Sequence, residues 1–254
     1  MSAVTANTTA LVELRDIHKS FDRNHVLRGV SLALRKGTIL AVMGASGTGK
    51  TVLLRISAGL VRPDSGEVRL FGTRTDRMRE ESMLPLRRRT GFVFQGAALF
   101  DSLSVFENVA YPLREHTRMS LGEITDRVHH FLSLVGLPDT DDLLPAELSG
   151  GMRKRVGIAR ALVMEPEVVF FDEPTAGLDP TNARLVAELM ASLRSGVCDT
   201  AIVVTHDIEF ANMIADQMAI LHHGRFAGMG TPAEIRASAN VDVRRFLAGE
   251  LRED

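Results

Sequence analysis

A glycine-rich segment between an apolar run and a helix-like segment constrains the fold of this chain more than any other feature. The segment, Gly44 to Thr51, reads Gly-Ala-Ser-Gly-Thr-Gly-Lys-Thr and fits the pattern G-x-x-x-x-G-K-[ST] completely. It follows the apolar residues Ile39 to Met43 and precedes a helical pattern that ends near Gly59. Glycines allow backbone conformations in which successive N–H groups point inward, and the following helix adds its positive end. The segment therefore predicts a loop that binds phosphate groups.

Within this segment the individual residues have separate predicted roles. Lys50 would reach the β and γ phosphates of a bound nucleotide, and the Thr51 hydroxyl would bind Mg²⁺. The remaining residues would surround the phosphates with their main chain: Gly44, Ala45, Ser46, Gly47, Thr48 and Gly49. A plain glycine-rich turn between a strand and a helix is the alternative, but the order of strand, motif and helix favours nucleotide binding.

The pattern of apolar residues predicts an α/β fold with a P-loop core and a mainly parallel sheet. Val168 to Phe171 and Ala201 to Thr205 resemble Ile39 to Met43 in being almost continuously apolar, as expected for strands buried on both faces. The front of the chain differs. Leu11 to Ile17 alternates apolar and polar residues, and Val68 to Phe71 follows a turn signal, so an antiparallel β layer is expected to flank the core.

The predicted organisation is one domain over residues 1–254 with an inserted helical subdomain. The chain has 254 residues, 45% of them hydrophobic and 24% charged, which suits a single globular unit. Between about residues 87 and 165 the patterns are mainly helical, apart from a short strand at Phe92 to Phe94. Residues 231–254 are interpreted as a C-terminal tail, of which 250–254 form a solvated end.

Composition and charge exclude several classes of protein. The formal net charge of -2 gives no basic excess, so no nucleic-acid partner is expected. Charges and glycines interrupt every apolar run before about 18 residues, so no transmembrane helix is predicted. Met1 to Ala10 lacks the regions of a signal peptide. Cys198 is the only cysteine, which excludes an internal disulfide and favours a reducing compartment. The chain is expected to be soluble or peripheral to a membrane.

Two carboxylates directly follow the apolar run that ends at Phe171. Asp172 suits a position that holds Mg²⁺, and Glu173 is placed to orient or deprotonate an attacking water. Because ligands of open α/β sheets bind beyond the carboxyl ends of the strands, these groups should lie near the phosphate loop. The alternative is a pair of acids that cap the next helix.

Two further polar residues follow predicted strands. His206 ends the run Ala201 to Thr205, where its imidazole could hydrogen-bond the γ-phosphate and the attacking water. Gln95 follows the strand Phe92 to Phe94 and could reach Mg²⁺ or the water through its amide. Taken alone, each would be interpreted as an ordinary polar residue at a strand end, and only the other motifs make a functional role the better interpretation.

A second glycine-containing segment, Leu148 to Met152, stands directly before a helical run from Arg153 to Val163. The Ser149 side chain and the N–H groups of Gly150 and Gly151, at a helix N-terminus, predict a second anion site that lacks a lysine. A single phosphate loop does not explain this segment. The alternative is a loop with a Ser N-cap, which would be favoured without the loop at Gly44.

In this order, the motifs resemble those of ABC transporter nucleotide-binding domains over nearly the whole chain. The residues that carry the resemblance are Phe21, Gly44 to Thr51, Gln95, Leu148 to Met152, Asp172, Glu173, Ala176 to Asp179 and His206. It implies that ATP is bound and hydrolysed with Mg²⁺, and that two copies share two sites, each closed by the Leu148 segment of the other copy. It also implies that Phe21 stacks on adenine, Gln95 senses a membrane partner and Asp179 lies between the two sites.

The chain departs from the family pattern at three places without losing a catalytic group. Val52 stands where many relatives have a hydroxyl residue, and Phe21 stands where tyrosine is more common. Ala176 and Gly177 replace the usual Ser-Ala before Leu-Asp.

A narrower resemblance is to the ATPases of Mla phospholipid transport systems. It rests on Leu99 and Phe100, on Val105 to Thr117, on Met152 where most ABC proteins have glutamine, and on Val243 to Gly249. The resemblance implies a cytoplasmic protein, peripheral on the cytoplasmic face of the bacterial inner membrane. It implies an MlaE-like permease, through it an MCE-domain lipid carrier, and a small STAS-type regulatory subunit. The cargo would be phospholipid moving between the inner and outer membranes, which maintains outer-membrane lipid asymmetry.

Other functions stay open at this point. The ATPase of an importer of a small solute such as an amino acid would carry the same motifs, because nothing in this chain touches cargo. A soluble ABC ATPase without a permease is a second alternative, although no coiled-coil insertion is seen. A module that uses ATP only to dimerise is a third, against which Glu173 and His206 argue.

Several reactive residues outside these motifs are not assigned a function. His129, His130, His222 and His223 lack partners at metal-ligand spacing. Cys198 is interpreted as an incidental thiol in a polar turn, because no supporting catalytic group is evident.

Overall fold

The computed structural model describes residues 10–194 and 196–250. Within them the strands are β1 (Val12–Phe21), β2 (Asn24–Leu34), β3 (Ile39–Met43), β4 (Ser65–Leu70), β5 (Thr73–Arg74), β6 (Thr90–Val93), β7 (Val168–Asp172), β8 (Ala201–Thr205), β9 (Gln217–His222) and β10 (Arg225–Gly230). The helices are α1 (Lys50–Ser57), α2 (Glu80–Arg87), α3 (Val105–His116), α4 (Leu121–Leu134), α5 (Gly150–Leu162), α6 (Pro180–Leu193), α7 (Ile208–Ile214), α8 (Pro232–Arg236) and α9 (Val241–Leu247), with a 3₁₀ turn at Pro145–Glu147.

The central sheet has the order β10-β9-β3-β8-β7-β6. Its strands from β9 to β6 pair in parallel, and only β10 pairs antiparallel with its neighbour. This confirms the predicted mainly parallel sheet. Strands β3 and β8 have the predicted bounds, and β7 extends one residue further, to Asp172.

The three central strands are buried on both faces, as their apolar sequences predict. In β7, Val169 and Phe171 contribute to the hydrophobic cluster that contains helices α3, α4, α5 and α6. Val168 and Phe170 face the opposite cluster, with α1 and the antiparallel layer. Since successive strand residues point to opposite faces, this strand ties the two halves of the core together.

The antiparallel layer has the strand order β2-β1-β4-β5 and confirms the flanking sheet. Strand β1 is longer than the alternating pattern from Leu11 to Ile17 predicts, because it continues to Phe21. The register shifts between Leu14 and Ile17, and Asp16 has a φ of 50°. Such bulges interrupt the alternation of faces, so the second half of the strand carries no clear sequence signal.

Helices α3, α4 and α5 lie between the edge strand β6 and the central strand β7 in the chain. Capping boxes begin the first two of them, Ser104 with Glu107 and Ser120 with Glu123, and satisfy N–H groups that the first turn leaves unpaired. The apolar faces of these helices join the sheet cluster through residues such as Val109 and Phe131. The helical region therefore shares a core with the sheet.

The segment interpreted as a tail from residue 231 contains α8 and α9. Val243 and Phe246 of α9 are buried against Met43 and Ile220 at the end of the central sheet. The predicted solvated end at 250–254 and the segment Met1 to Ala10, for which no signal peptide is predicted, lie outside the described residues, apart from Glu250 and Ala10. Among the helices that are described, none is long and apolar enough to cross a bilayer.

Phe131→Ala tests the shared core. Phe131 in α4 is fully buried, so its truncation should reduce the free energy of unfolding by about 3–5 kcal/mol. The matched control is Leu121→Ala in the same helix, where the side chain is 67% exposed and the change should stay within about 0.5 kcal/mol. Urea unfolding followed by circular dichroism measures both. Loss of the helices in a separate transition, with the sheet unaffected, would contradict a shared core.

Candidate nucleotide-binding site

The site is built where β3, β7 and β8 end. Met43 pairs with Thr205, and Asp172 pairs with Val204, so these strands end at the same edge of the sheet. The next residues along the chain are Gly44, Glu173 and His206. The parallel register thus brings together three segments that are far apart in sequence, as predicted.

The loop after β3 has a shape that only glycine permits at two positions. Gly49 has a φ of 97°, and a Cβ there would lie 2.5 Å from Val26 Cγ1. At Gly44 a Cβ would lie 2.4 Å from the Leu221 carbonyl oxygen. Helix α1 begins directly after the loop and has no acidic residue in its first turn. No acidic side chain therefore competes with an anion for the positive end of this helix.

Lys50 folds back over this loop. Its Nζ donates to the carbonyl oxygens of Gly44 (2.9 Å) and Ala45 (2.7 Å) and lies 3.8 Å from Glu173 Oε1. The side chain is buried, so the ammonium stands inside the site rather than in solvent. Ser46 and Gly47, at the tip of the loop, are exposed, and the Thr48 hydroxyl donates to Ala45 O at 3.0 Å.

Thr51 and Asp172 meet directly below the loop. The Thr51 hydroxyl donates to Asp172 Oδ1 at 2.7 Å, and Asp172 is buried. Arg55 Nη2 lies 4.0 Å from Asp172 Oδ2 and compensates part of the buried charge. A hydroxyl oxygen beside a carboxylate is a donor set that Mg²⁺ prefers, so the residues present fit this ion.

Glu173 stands between two basic groups in a strained conformation. Its carboxylate lies 3.8 Å from Lys50 Nζ on one side and 3.0 Å from His206 Nδ1 on the other. Because an ionised carboxylate only accepts hydrogen bonds, this contact requires a proton on His206 Nδ1. The main chain of Glu173 has a φ of 48°, an uncommon value for a residue with a side chain, and its N–H donates to Val204 O at 3.0 Å. Such strain is typical of functional sites.

Gln95 is placed beside the site through its main chain. It follows β6 by two residues and is exposed, and its carbonyl oxygen accepts a hydrogen bond from Lys154 Nζ. Among the described residues, no hydrogen bond joins its side-chain amide to Thr51 or Asp172. The predicted contact of the amide with Mg²⁺ stays a prediction.

The segment Ser149 to Gly151 lies at the N-terminus of α5, as predicted. The Ser149 hydroxyl accepts from the Met152 N–H at 3.2 Å, so Ser149 is an N-cap of its own helix. A Cβ at Gly151 would lie 2.8 Å from Asn182 Oδ1 of α6. The N-termini of α5 and α6 therefore adjoin, and the first turn of α5 has no acidic residue.

Asp179 caps α6. Its carboxylate accepts from the N–H groups of Thr181 and Asn182, both at 3.1 Å, and from Asn182 Nδ2 at 2.6 Å. The side-chain hydrogen bond from Asn182, followed by that from its main chain, holds the pKa of Asp179 below its usual value. The Asn182 side chain, which lies beside Gly151, is thus oriented by an ionised Asp179.

Phe21 ends β1, and its side chain is 48% exposed. Lys19 Nζ lies 5.2 Å from the ring centroid, and Phe21 pairs with Asn24 across the β1–β2 turn. The same β2 strand carries Val26 against the phosphate loop at Gly49. The ring therefore stands on the hairpin that borders the loop and offers an open face for stacking.

The sequence patterns did not predict one polar residue of this site. Lys154 in α5 is 6% exposed and donates to the carbonyl oxygens of Gln95 and, at 3.3 Å, of Glu173. In the sequence it is one of three consecutive basic residues, which usually form a solvated face. Lys154 lies three residues after Gly151 and four before Ile158, which are both buried. This helical spacing is the signal that could have predicted its burial.

Two of the unassigned residue types have structural explanations. Cys198 follows a turn at residues 196–197, and its side chain is buried in the main hydrophobic cluster, where desolvation raises the pKa of the thiol to about 12. His129 Nε2 lies 2.8 Å from Asp141 Oδ2. Within residues 10–194 and 196–250, no group of three or more His, Cys, Asp or Glu side chains could hold a metal ion.

Comparison with known proteins agrees with this geometry. The family model described as ABC transporter matches residues 27–176. The solved post-hydrolysis dimer of the ATP-binding cassette MJ0796, bound to ADP and Pi, is similar with a TM-score of 0.81 and 31% identity, over 87% of this chain and 98% of that one. The chain belongs to the ABC transporter family, and it is an ATP-binding ATPase of the ABC type.

Two curated relatives narrow the comparison. Protein TRIGALACTOSYLDIACYLGLYCEROL 3, chloroplastic, from Arabidopsis thaliana is 42% identical over 96% of this chain and 75% of that protein. The intermembrane phospholipid transport system ATP-binding protein MlaF from Escherichia coli K12 is 38% identical over 94% of this chain and 89% of that protein.

Gly49→Ala tests the phosphate loop. The new methyl group would meet Val26, and the φ of 97° would be strained, so the loop should lose its shape. We expect ATP affinity, measured by calorimetric titration, to fall about tenfold or more. Gly122→Ala in α4 is the control, because its Cβ would meet no atom within 4 Å. Equal ATP affinity of Gly49→Ala and the unaltered protein would contradict the assignment of the loop.

Proposed function

We propose that this chain is the ATP-hydrolysing subunit of a membrane transporter that moves phospholipid. The observation that carries the catalytic part is the cluster of Lys50, Glu173 and His206, in which the Glu173 carboxylate lies 3.8 Å from Lys50 Nζ and 3.0 Å from His206 Nδ1. A turn that served only the fold would not require a buried lysine, a buried carboxylate and a histidine at one point.

Substrate binding uses the phosphate loop and the hairpin beside it. The N–H groups of the loop and of the start of α1 surround the phosphates, and Lys50 exchanges its carbonyl partners for the β and γ phosphates. Phe21 stacks on the adenine ring. Thr51 and Asp172 would hold Mg²⁺, with Gln95 as a further ligand, and the ion would neutralise charge on the phosphates when bound.

Hydrolysis is assigned to the neighbouring strand ends. Glu173 orients the attacking water in line with the γ-phosphate and accepts its proton. His206 holds the carboxylate through Nδ1, which leaves its other ring nitrogen to hydrogen-bond the γ-phosphate. The water and the phosphate are thereby held in position for in-line attack, which is the main contribution of a protein to phosphoryl transfer.

The segment Ser149 to Gly151 supports a site shared by two copies. It is a helix N-terminus without acidic residues in its first turn, and it adjoins Asn182 of α6 at Gly151. A second copy would bring this segment onto the γ-phosphate, with Asp179 between the two sites. The similar cassette was solved as a dimer with ADP and Pi, which supports this homodimer.

A groove on the helical side supports a membrane partner. It measures about 450 Å³ and is bordered by the exposed rings of Phe100 and Tyr111, whose centroids lie 4.9 Å apart. Arg87, Arg88 and Arg160 add positive charge to its wall. Exposed aromatic residues beside arginine are typical of protein interfaces. We assign this groove to an MlaE-like permease, so that the chain is held on the cytoplasmic face of the inner membrane.

The cargo follows from the relatives alone. MlaF is named as part of an intermembrane phospholipid transport system, and the Arabidopsis relative is named for a glycolipid. By this similarity we propose phospholipid movement between the bacterial inner and outer membranes. An MCE-domain lipid carrier, reached through the permease, and a small STAS-type subunit are the further partners of this proposal.

Glu173→Gln tests the assigned base. The amide keeps the size of the side chain but cannot accept the proton, so steady-state ATP hydrolysis should fall about 100-fold or more while ATP binding persists. Bound ATP should therefore hold the dimer closed, which size-exclusion chromatography detects. Glu188→Gln, in an exposed pair with Arg184, is the matched control and should hydrolyse ATP normally. Hydrolysis by Glu173→Gln at the unaltered rate would remove Glu173 from this role.

Extraction of the complex tests the transport assignment. The tagged chain, extracted in mild detergent with its membrane partners, should bring a permease and an MCE-domain protein, and organic extraction should release phospholipid. Phe100→Asp should abolish recovery of the permease without loss of ATP binding, since it removes an exposed aromatic ring from the groove and replaces it with a charge. A different permease that carries no lipid would replace the phospholipid assignment by a small-solute one, and recovery of no membrane protein would favour a soluble ATPase.

A further inference from the structure

Helix α5 is hydrogen-bonded to residues 95–100, the segment that leads from the nucleotide site to the groove at Phe100 and Tyr111. We call this segment the Gln95 loop. Arg160 donates to the carbonyl oxygens of Ala97 (2.8 Å) and Ala98 (2.9 Å), and its guanidinium lies 5.8 Å from the centroid of the Phe100 ring. Burial lowers the pKa of Arg160, so its hydrogen bonds take the place of solvent.

The same helix face is fitted closely to the loop one turn earlier. A Cβ at Gly157 would lie 3.2 Å from Ala97 Cβ, so glycine allows the helix to approach the loop. Lys154 stands a further three residues back and donates to Gln95 O. Residues three apart lie on one side of a helix, and so positions 154, 157 and 160 form one continuous contact with the loop.

Lys154 also reaches the main chain of the assigned base. Its Nζ donates to the Glu173 carbonyl oxygen at 3.3 Å and interacts electrostatically with the carboxylates of Glu173 and Asp172. Desolvation lowers the pKa of Lys154, and the two carboxylates oppose that shift. A buried ammonium is costly unless its N–H groups are satisfied, and the two carbonyl oxygens provide that satisfaction.

The carbonyl that Lys154 contacts belongs to a strained residue. Glu173 has a φ of 48°, and its carbonyl oxygen also accepts from the Ala176 N–H at 3.1 Å. Residues held in this region of φ and ψ persist only where the surrounding contacts fix them. Since the Glu173 carboxylate is attached to this main chain, its position depends on these contacts.

We propose that Lys154 is a positioning residue for hydrolysis, which fixes the main chain of Glu173 and the Gln95 loop to helix α5. The inference rests on the proposed function in taking Glu173 as the base. Helix α5 begins at Ser149 to Gly151, the segment assigned to the ATP of the second copy. Because Lys154 contacts the Glu173 main chain, the position of the Glu173 carboxylate depends on the position of helix α5. Because Lys154 also contacts the Gln95 loop, which ends at Phe100, that position depends on the groove as well.

Lys154→Met and Lys154→Gln test this inference in the full-length protein, purified with its membrane partners. Both remove the ammonium, and a displacement of the carboxylate by about 1 Å is enough to reduce kcat by tenfold to 100-fold. The KM for ATP should stay within about twofold of that of the unaltered protein, because Lys154 is not among the residues assigned to ATP binding. In Lys154→Met the midpoint of thermal unfolding is expected to fall as well, because the carbonyl oxygens of Gln95 and Glu173 lose their donor, so the fall in kcat per folded molecule is the result that decides.

A residue that serves only the fold would give a different result. Its loss would lower the unfolding midpoint and leave kcat, calculated for the folded fraction, unchanged. That outcome in both variants would overturn the inference. If Lys154→Met does not fold, Lys154→Gln, which keeps an N–H donor, gives the same comparison of kcat with the unfolding midpoint.

Arg155→Gln is the matched control, because it removes a basic residue from the next position of the same helix. Arg155 donates to Val135 O (3.1 Å) and Gly136 O (3.0 Å), at the end of α4, and should leave kcat unchanged. Glu173→Gln in the same assay separates the two proposals. If it is inactive while Lys154→Met is normal, only the positioning role fails, whereas normal hydrolysis by Glu173→Gln removes the assigned base itself.

Discussion

The burial of β3, β7 and β8 on both faces is the constraint on which the rest of this structure depends. Because apolar layers cover both faces, the polar residues that follow these strands can only collect at the edge where the strands end. The phosphate loop, the carboxylates and His206 consequently lie directly at the ends of buried strands. Burial also removes water from around Lys50 and Glu173, so their interaction across 3.8 Å is stronger than it would be in solvent.

Two positions of the assigned site have positive φ values, as Asp16 also has in the antiparallel layer. Gly49 and Glu173 both adopt positive φ values, and each is fixed by contacts from other elements, β2 in one case and β8 and α5 in the other. The two buried lysines are also fixed by contacts with the main chain. Lys50 and Lys154 are both buried, and both are satisfied by main-chain carbonyl oxygens that belong to the loops they organise.

Much of the fold could be predicted from the sequence, because two-sided burial gives continuous apolar runs and the phosphate loop has a fixed order of strand, motif and helix. The bulged half of β1 could not, since the shift at Asp16 breaks the alternation of faces. The burial of Cys198 was missed because nearby polar residues resemble a turn. Lys154 was missed for a related reason: its function depends on two carbonyl oxygens that are distant in sequence, and main-chain acceptors leave no trace in residue type.

The central claim is that each hydrolytic site takes its phosphate loop from one copy and its Ser149 segment from the other. Lys50→Ala and Ser149→Arg, each inactive as a pure dimer, should therefore be co-expressed with different tags and purified as a mixed dimer. One site of that dimer combines both changes, and the other combines an unaltered phosphate loop with an unaltered Ser149 segment. The account predicts that mixing restores ATP hydrolysis. A mixed dimer as inactive as its two parents would contradict a shared site.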